Sequence, residues 1–79
     1  MVDIDAAIGF VVARGDAVDR ARLSSLRTGV TPPDEILVNV EGGQLPNGGW
    51  PAGYDTSVAS VDATCFRLSE IDEIGRAHV

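Results

Sequence analysis

At 79 residues and a net charge of -6, the chain is one small domain or a piece of something larger, and a single core of this size is marginal without a metal, disulfides or a partner. The acidity argues against a nucleic-acid or anionic-membrane surface, since both need clustered Lys and Arg. One cysteine forms no internal disulfide and no apolar run approaches a membrane span, so a cytoplasmic protein is expected.

The opening "MVDIDAAIGFVVARGD" has no basic leader and no cleavage site, and reads as an amphipathic helix rather than a signal peptide. Ile4, Ala7, Ile8, Val11 and Val12 recur at helical spacing on one stripe, with Asp3 as N-cap and Gly15 as the stop. A second helix restarts at Asp16, with Asp16 and Arg20 in the favourable i, i+4 order and Gly29 as its end. Its apolar face of Val18, Ala21, Leu23 and Leu26 is thin, which places it at the periphery. In "GVTPPDEILVNVEGGQ" two signals compete. Thr31 before Pro32, with Asp34 and Glu35 in the first turn, starts a helix, whereas Ile36, Leu37, Val38 and Val40 favour a strand. The start signal prevails, giving a helix from Pro32 to Glu41 ended by Gly42 and Gly43.

The loop "GQLPNGGWPAGYD" follows. Asn47, Gly48 and Gly49 supply positive φ angles for a sharp turn, and Pro46 and Pro51 stiffen its flanks. Trp50 is expected to fill a gap between helices while its N–H finds a partner. Gln44 carries donor and acceptor together, suited to the unpaired backbone groups between two helices. After the loop, Val58, Val61, Cys65, Leu68 and Ile71 form a helical stripe, capped by Thr56 or Ser57, with small Ala59, Ser60 and Ala63 allowing close packing. The residues alone therefore give helix, helix, helix, long loop, helix, and no strand.

"QLPNGGW", Gln44 to Trp50, resembles the glutamine-tryptophan repeat of squalene and oxidosqualene cyclases, and "GGW" followed by "SVDATCFRL" resembles the repeat unit of protein prenyltransferase β-subunits. Both belong to the terpenoid cyclase/protein prenyltransferase α/α toroid superfamily. The similarity runs from Pro32 to Glu73, a little over half the chain. It implies that Gln44, Gly48, Gly49 and Trp50 brace neighbouring helices, that Pro32 to Glu41 is an outer helix, and that Val58 to Glu73 is an inner helix whose N-terminal end borders a central cavity. On that basis Asp62 and Cys65 are the candidate cavity-facing residues. The terminal "IGRAHV" in turn resembles one reading frame of a common sequencing adapter, so Ile74 to Val79 are expected not to be native.

The resemblance also draws attention to zinc, which protein prenyltransferases hold with Asp, Cys and His. Here "DATC" separates Asp62 from Cys65 by three positions where the family has two, and the family's His comes from a later repeat. His78 lies in the adapter-like tail and carries no mechanistic weight. A cysteine on an apolar helix stripe ordinarily acts as a small hydrophobe. Asp3 and Asp5 give two carboxylates of the acidic DxDD segment of squalene-hopene type cyclases and lack the third, and a helix start attracts Asp through its dipole. Asp62 has a surface alternative, pairing with Arg67 or solvent. No catalytic residue, metal or cofactor is expected.

The expectation is an all-α chain: one helical-hairpin repeat of an incomplete α/α toroid, four helices with the long GGW loop before the last. Residues 1–30 form an N-terminal helical pair, 31–73 the repeat, and 74–79 the adapter-derived tail. Such a repeat has no complete active site of its own. Its partners are the remaining repeats of the same chain, and its parent acts on or binds an isoprenoid or other apolar small molecule. The alternative is a small stand-alone helical interaction domain without catalytic activity.

Overall fold

A computed structural model describes residues 2–24, 26, 43–53 and 55–78, with only the backbone described from Arg76 to His78. The expected outer helix from Pro32 to Glu41 lies outside the described residues, as do the expected helix stops Gly29 and Gly42. The described residues are mostly helical, in α1 (Ile4–Arg14), α2 (Ala17–Leu23) and α3 (Val61–His78). They also hold a two-stranded antiparallel sheet of β1 (Trp50–Pro51) and β2 (Ala59–Ser60), with Trp50 opposite Ser60 and Pro51 opposite Ala59.

α1 starts where Asp3 is held in extended backbone and its Oδ1 accepts the N–H of Ala6 at 3.0 Å. Asp5 in the first turn and Arg14 in the last complement the helix dipole, and the Arg14 guanidinium stands 5.4 Å from the centre of the Phe10 ring one turn back. The buried residues of α1 are Ala7, Phe10 and Val11, with Ile4 and Ile8 half-buried and Val12 exposed. The buried stripe is thus rotated from the expected one: Phe10 replaces Val12, because the aromatic ring has more area to remove from water than a valine.

At Asp16 the chain restarts with a reciprocal capping box, Asp19 N–H to Asp16 Oδ1 at 2.9 Å and Asp16 N–H to Asp19 Oδ2 at 3.0 Å. Arg20 does not bond Asp16 as expected; its Nη1 donates to the Gly15 carbonyl at 2.7 Å. α2 is short and has no buried residue, in keeping with a peripheral position, while Leu23 and Leu26 lean on the core half-buried.

α3 begins later than the sequence stripe suggests. Ser60 caps it, its Oγ accepting the Ala63 N–H at 3.2 Å, so Thr56 and Ser57 do not. Those two belong instead to a turn in which Asp55 Oδ1 accepts from Ser57 N–H at 3.0 Å and from Ser57 Oγ at 2.6 Å. Val58 is therefore 59% exposed, and the expected absence of strands is corrected by β1 and β2. The short pairing arises because the turn folds Ala59 and Ser60 back against Trp50 and Pro51 before a helical turn can close. Cys65, Leu68 and Ile71 are buried as the stripe requires, and with Phe10, Val11 and Trp50 they make one core between α1 and α3. The helix passes through Gly75 to His78, and Ile74 packs against the core. A mid-helix glycine costs only about 1 kcal/mol, so Gly75 does not stop it.

Candidate functional site

The residues singled out by the QLPNGGW motif converge at one joint between the start of α1, β1 and α3. Gln44 sits at its edge and uses both ends of its carboxamide. Oε1 accepts the Asp3 N–H at 3.0 Å, and Nε2 donates to the Asp3 carbonyl at 2.9 Å and to the Gly48 carbonyl at 3.0 Å. The backbone groups it satisfies belong to the cap of α1 and to its own turn.

The turn is closed by Gly48 N–H to Leu45 O and Leu45 N–H to Gly49 O, both at 2.8 Å, and by Asn47 Oδ1 accepting the Gly49 N–H at 3.1 Å. Gly48 has φ +94, while Asn47 keeps a negative φ and contributes its side chain instead. A Cβ at Gly48 would overlap the Ala6 carbonyl, and one at Gly49 would lie 2.6 Å from Ala59 Cβ and 3.0 Å from the Phe10 ring. The two glycines thus let the loop lie directly on α1, Gly48 through both its backbone conformation and its missing side chain and Gly49 through its missing side chain.

That approach puts Trp50 into the core at 1% exposure. Burying an indole of about 200 Å² at about 25 cal/mol per Å² contributes about 5 kcal/mol as an upper bound. The expected partner for its ring N–H is not found: no acceptor among the described residues reaches the buried Nε1. An unpaired buried donor costs about 1–3 kcal/mol, so burial of the ring outweighs it. The backbone N–H of Trp50 is satisfied by a residue the sequence reading passed over. Thr64, fully buried on α3, accepts it at Oγ1 at 2.9 Å, and its own hydroxyl donates to the Ser60 carbonyl at 2.7 Å. The signal for Thr64 was its place beside Cys65 on the apolar stripe, where a hydroxyl needs a nearby partner.

Asp62 and Cys65 lie one turn apart on α3 but in different surroundings, one exposed and the other buried. The Asp62 carboxylate is 86% exposed and accepts from Arg22 Nη1 at 2.6 Å, whereas Arg67 pairs with Glu70 at 2.8 Å. The hydrogen bond from Arg22 to Asp62 holds the guanidinium more firmly protonated. Cys65 faces the core, and burial pushes its thiol up from its ordinary value while the positive charge of Arg22 pulls it partly back. A protonated, buried thiol is a poor nucleophile and a poor ligand. Among the described residues no three His, Cys, Asp or Glu side chains gather into a metal site, and no helix is long and apolar enough to cross a membrane. The contacts at the joint are hydrogen bonds that tie the loop to the start of α1 and to α3.

No protein-family model matches the chain, and comparison with curated proteins and with solved structures returns no match.

Proposed function

We propose that the chain carries one bracing unit of an α/α toroid of the terpenoid cyclase/protein prenyltransferase type, a structural repeat without a complete active site. The observation that carries the reading is the use made of the motif residues: Gln44 ties the loop to the start of α1 with two hydrogen bonds to Asp3 and holds its own turn with a third, and Trp50 is sunk between α1 and α3. The motif resembled by Gln44, Gly48 and Trp50 is associated with this bracing role. A repeat of this kind presents apolar surface that only neighbouring units cover, so the partners are further repeats of the same chain, in the cytoplasm. The parent then acts on or binds an isoprenoid or other apolar small molecule in the cavity that the units enclose.

Extending the coding sequence past Glu73 tests the proposal. Further Q-x-x-x-G-x-W units at intervals of about fifty residues are expected, in line with repeat periods of this order. Their absence would overturn it in favour of a small stand-alone helical interaction domain. A DxDD segment, or an Asp-x-Cys pair with a distant His, in the extension would make the parent an enzyme.

A further inference from the structure

α2 stands apart from the bracing joint. It buries none of its own residues, and its start is fastened locally by the Asp16–Asp19 capping box. Its hold on the rest of the molecule includes the half-buried Leu23 and the following Leu26, together with an ion pair to the first turn of α3 between Arg22 Nη1 and Asp62 Oδ1 at 2.6 Å. Asp19 reinforces that pair from α2 itself, 3.8 Å from the same guanidinium nitrogen. Leu23 and Leu26 pack against the core cluster to which Cys65, one turn further along α3, belongs, and the charges of Arg22, Asp19 and Asp62 act on its sulfur. Segments with few buried apolar side chains open at lower cost than the whole molecule. An exposed ion pair is among the weaker contacts in a protein and is screened by salt.

We propose that α2 is a strap latched over the N-terminal turns of α3 by the Arg22–Asp62 pair, and that it opens as a unit, uncovering Cys65 while α1 and α3 stay packed. The strap makes access to the core around Cys65 depend on ionic strength. It is a property of this chain whether or not the chain is a toroid repeat, so its test does not depend on finding further repeats.

The experiment measures alkylation of Cys65 in the 79-residue chain by neutral iodoacetamide, together with amide hydrogen exchange. Arg22→Met at low salt should label about two- to fivefold faster than the parent chain, the range set by an exposed pair. The direction is diagnostic, because loss of the Arg22 charge alone would raise the thiol's pKa and slow alkylation. Amides of α2 should exchange faster by the same factor while those of Leu68 to Ile71 are unchanged. Arg67→Met, which removes the separate Arg67–Glu70 pair, should alter neither. Raising NaCl from about 0.02 M to about 0.5 M should bring the parent chain toward the variant's rate. Unchanged or slower labelling of Arg22→Met overturns the proposal, as does acceleration matched by the Leu68 to Ile71 amides, which signifies global unfolding. Should Arg22→Met fail to fold, the salt series on the parent chain decides: faster labelling and α2 exchange with salt support the strap, and constant rates overturn it.

Discussion

The carboxamide of Gln44 spans the main chain of Asp3, accepting from its N–H at 3.0 Å and donating to its carbonyl at 2.9 Å. Asp3 is the N-cap of α1, and in a capping box its N–H would be taken by a Glu or Gln side chain three residues on. That position is Ala6, which has no such side chain. Gln44 fills the role from 41 positions away, so a normally local cap has become a long-range contact. Ala6 in turn leaves room for Gly48 to lie against the helix.

Gln44→Ala removes three bonds and leaves the Asp3 N–H without its acceptor. A loss of about 0.5–1.5 kcal/mol is expected, the net worth of a hydrogen bond where water reaches the groups left behind. Urea denaturation followed by circular dichroism measures it, and a loss below about 0.5 kcal/mol would show that water replaces the carboxamide freely.

The positive-φ glycines should separate sharply. Gly48→Ala combines φ +94 with a clash against the Ala6 carbonyl, while Gly53→Ala has φ +120 but open space around the new methyl. A loss of about 1 kcal/mol is expected at Gly53 from backbone strain alone, and at least twice that at Gly48. Equal melting temperatures for the two variants would contradict the packing described for the turn.

Trp50→Ala should cost about 3–5 kcal/mol, the range for emptying a large aromatic site. Trp50→Phe should cost far less, about 1–2 kcal/mol, because the volume it loses is partly offset by removal of an indole N–H that has no acceptor among the described residues. Two variants equally destabilised would mean that the ring N–H is paired after all.

Thr64→Val keeps the shape and removes the hydroxyl that accepts from the Trp50 N–H. It should lower stability by about 1–3 kcal/mol, and Thr64→Ser, which keeps both bonds, by about 1 kcal/mol. Reversal of that order would make the methyl the more important part of the side chain.

Acid should act on one exposed cap and one exposed turn. The N–H of Asp19 is the main cause that holds the Asp16 carboxyl below its ordinary 3.8, and the Ser57 hydroxyl is the main cause at Asp55. Both pKa values are lower folded than unfolded, so the stability they contribute is present above about pH 4 and is lost as pH falls through the folded values. Loss of helical signal from α2 on acidification, absent in Asp16→Asn, is the expected result.

Local chemistry made much of this legible. Asp3 and Asp16 announced helix starts, and Cys65, Leu68 and Ile71 announced a buried face, because each depends on neighbours within one or two turns. The resemblance carried by QLPNGGW pointed to bracing by Gln44 and Trp50, but not to their partners. Asp3 was invisible in that role, and Thr64 was marked only by its place on the apolar stripe, since the bond each makes to the motif crosses the fold. The β1–β2 pairing was missed for the same reason: Val58, Ala59 and Ser60 fit a helical period, and only the Asp55 turn and the proximity of Trp50 draw the last two into a strand. Phe10 displaced Val12 on α1 because the direction of the core is set by what lies opposite, which a single helix does not encode.

The 41-residue span between Gln44 and Asp3 also sets an order of events during synthesis. α1 can leave the ribosome and cap itself with Asp3 while Trp50 and α3 are still untranslated. At about 5–20 residues per second, Phe10 and Val11 wait on the order of 3–12 seconds before Ile71 is made. Until then that face is only partly covered, by Leu23, Leu26 and later Trp50, and a chaperone or another nascent chain competes for the rest.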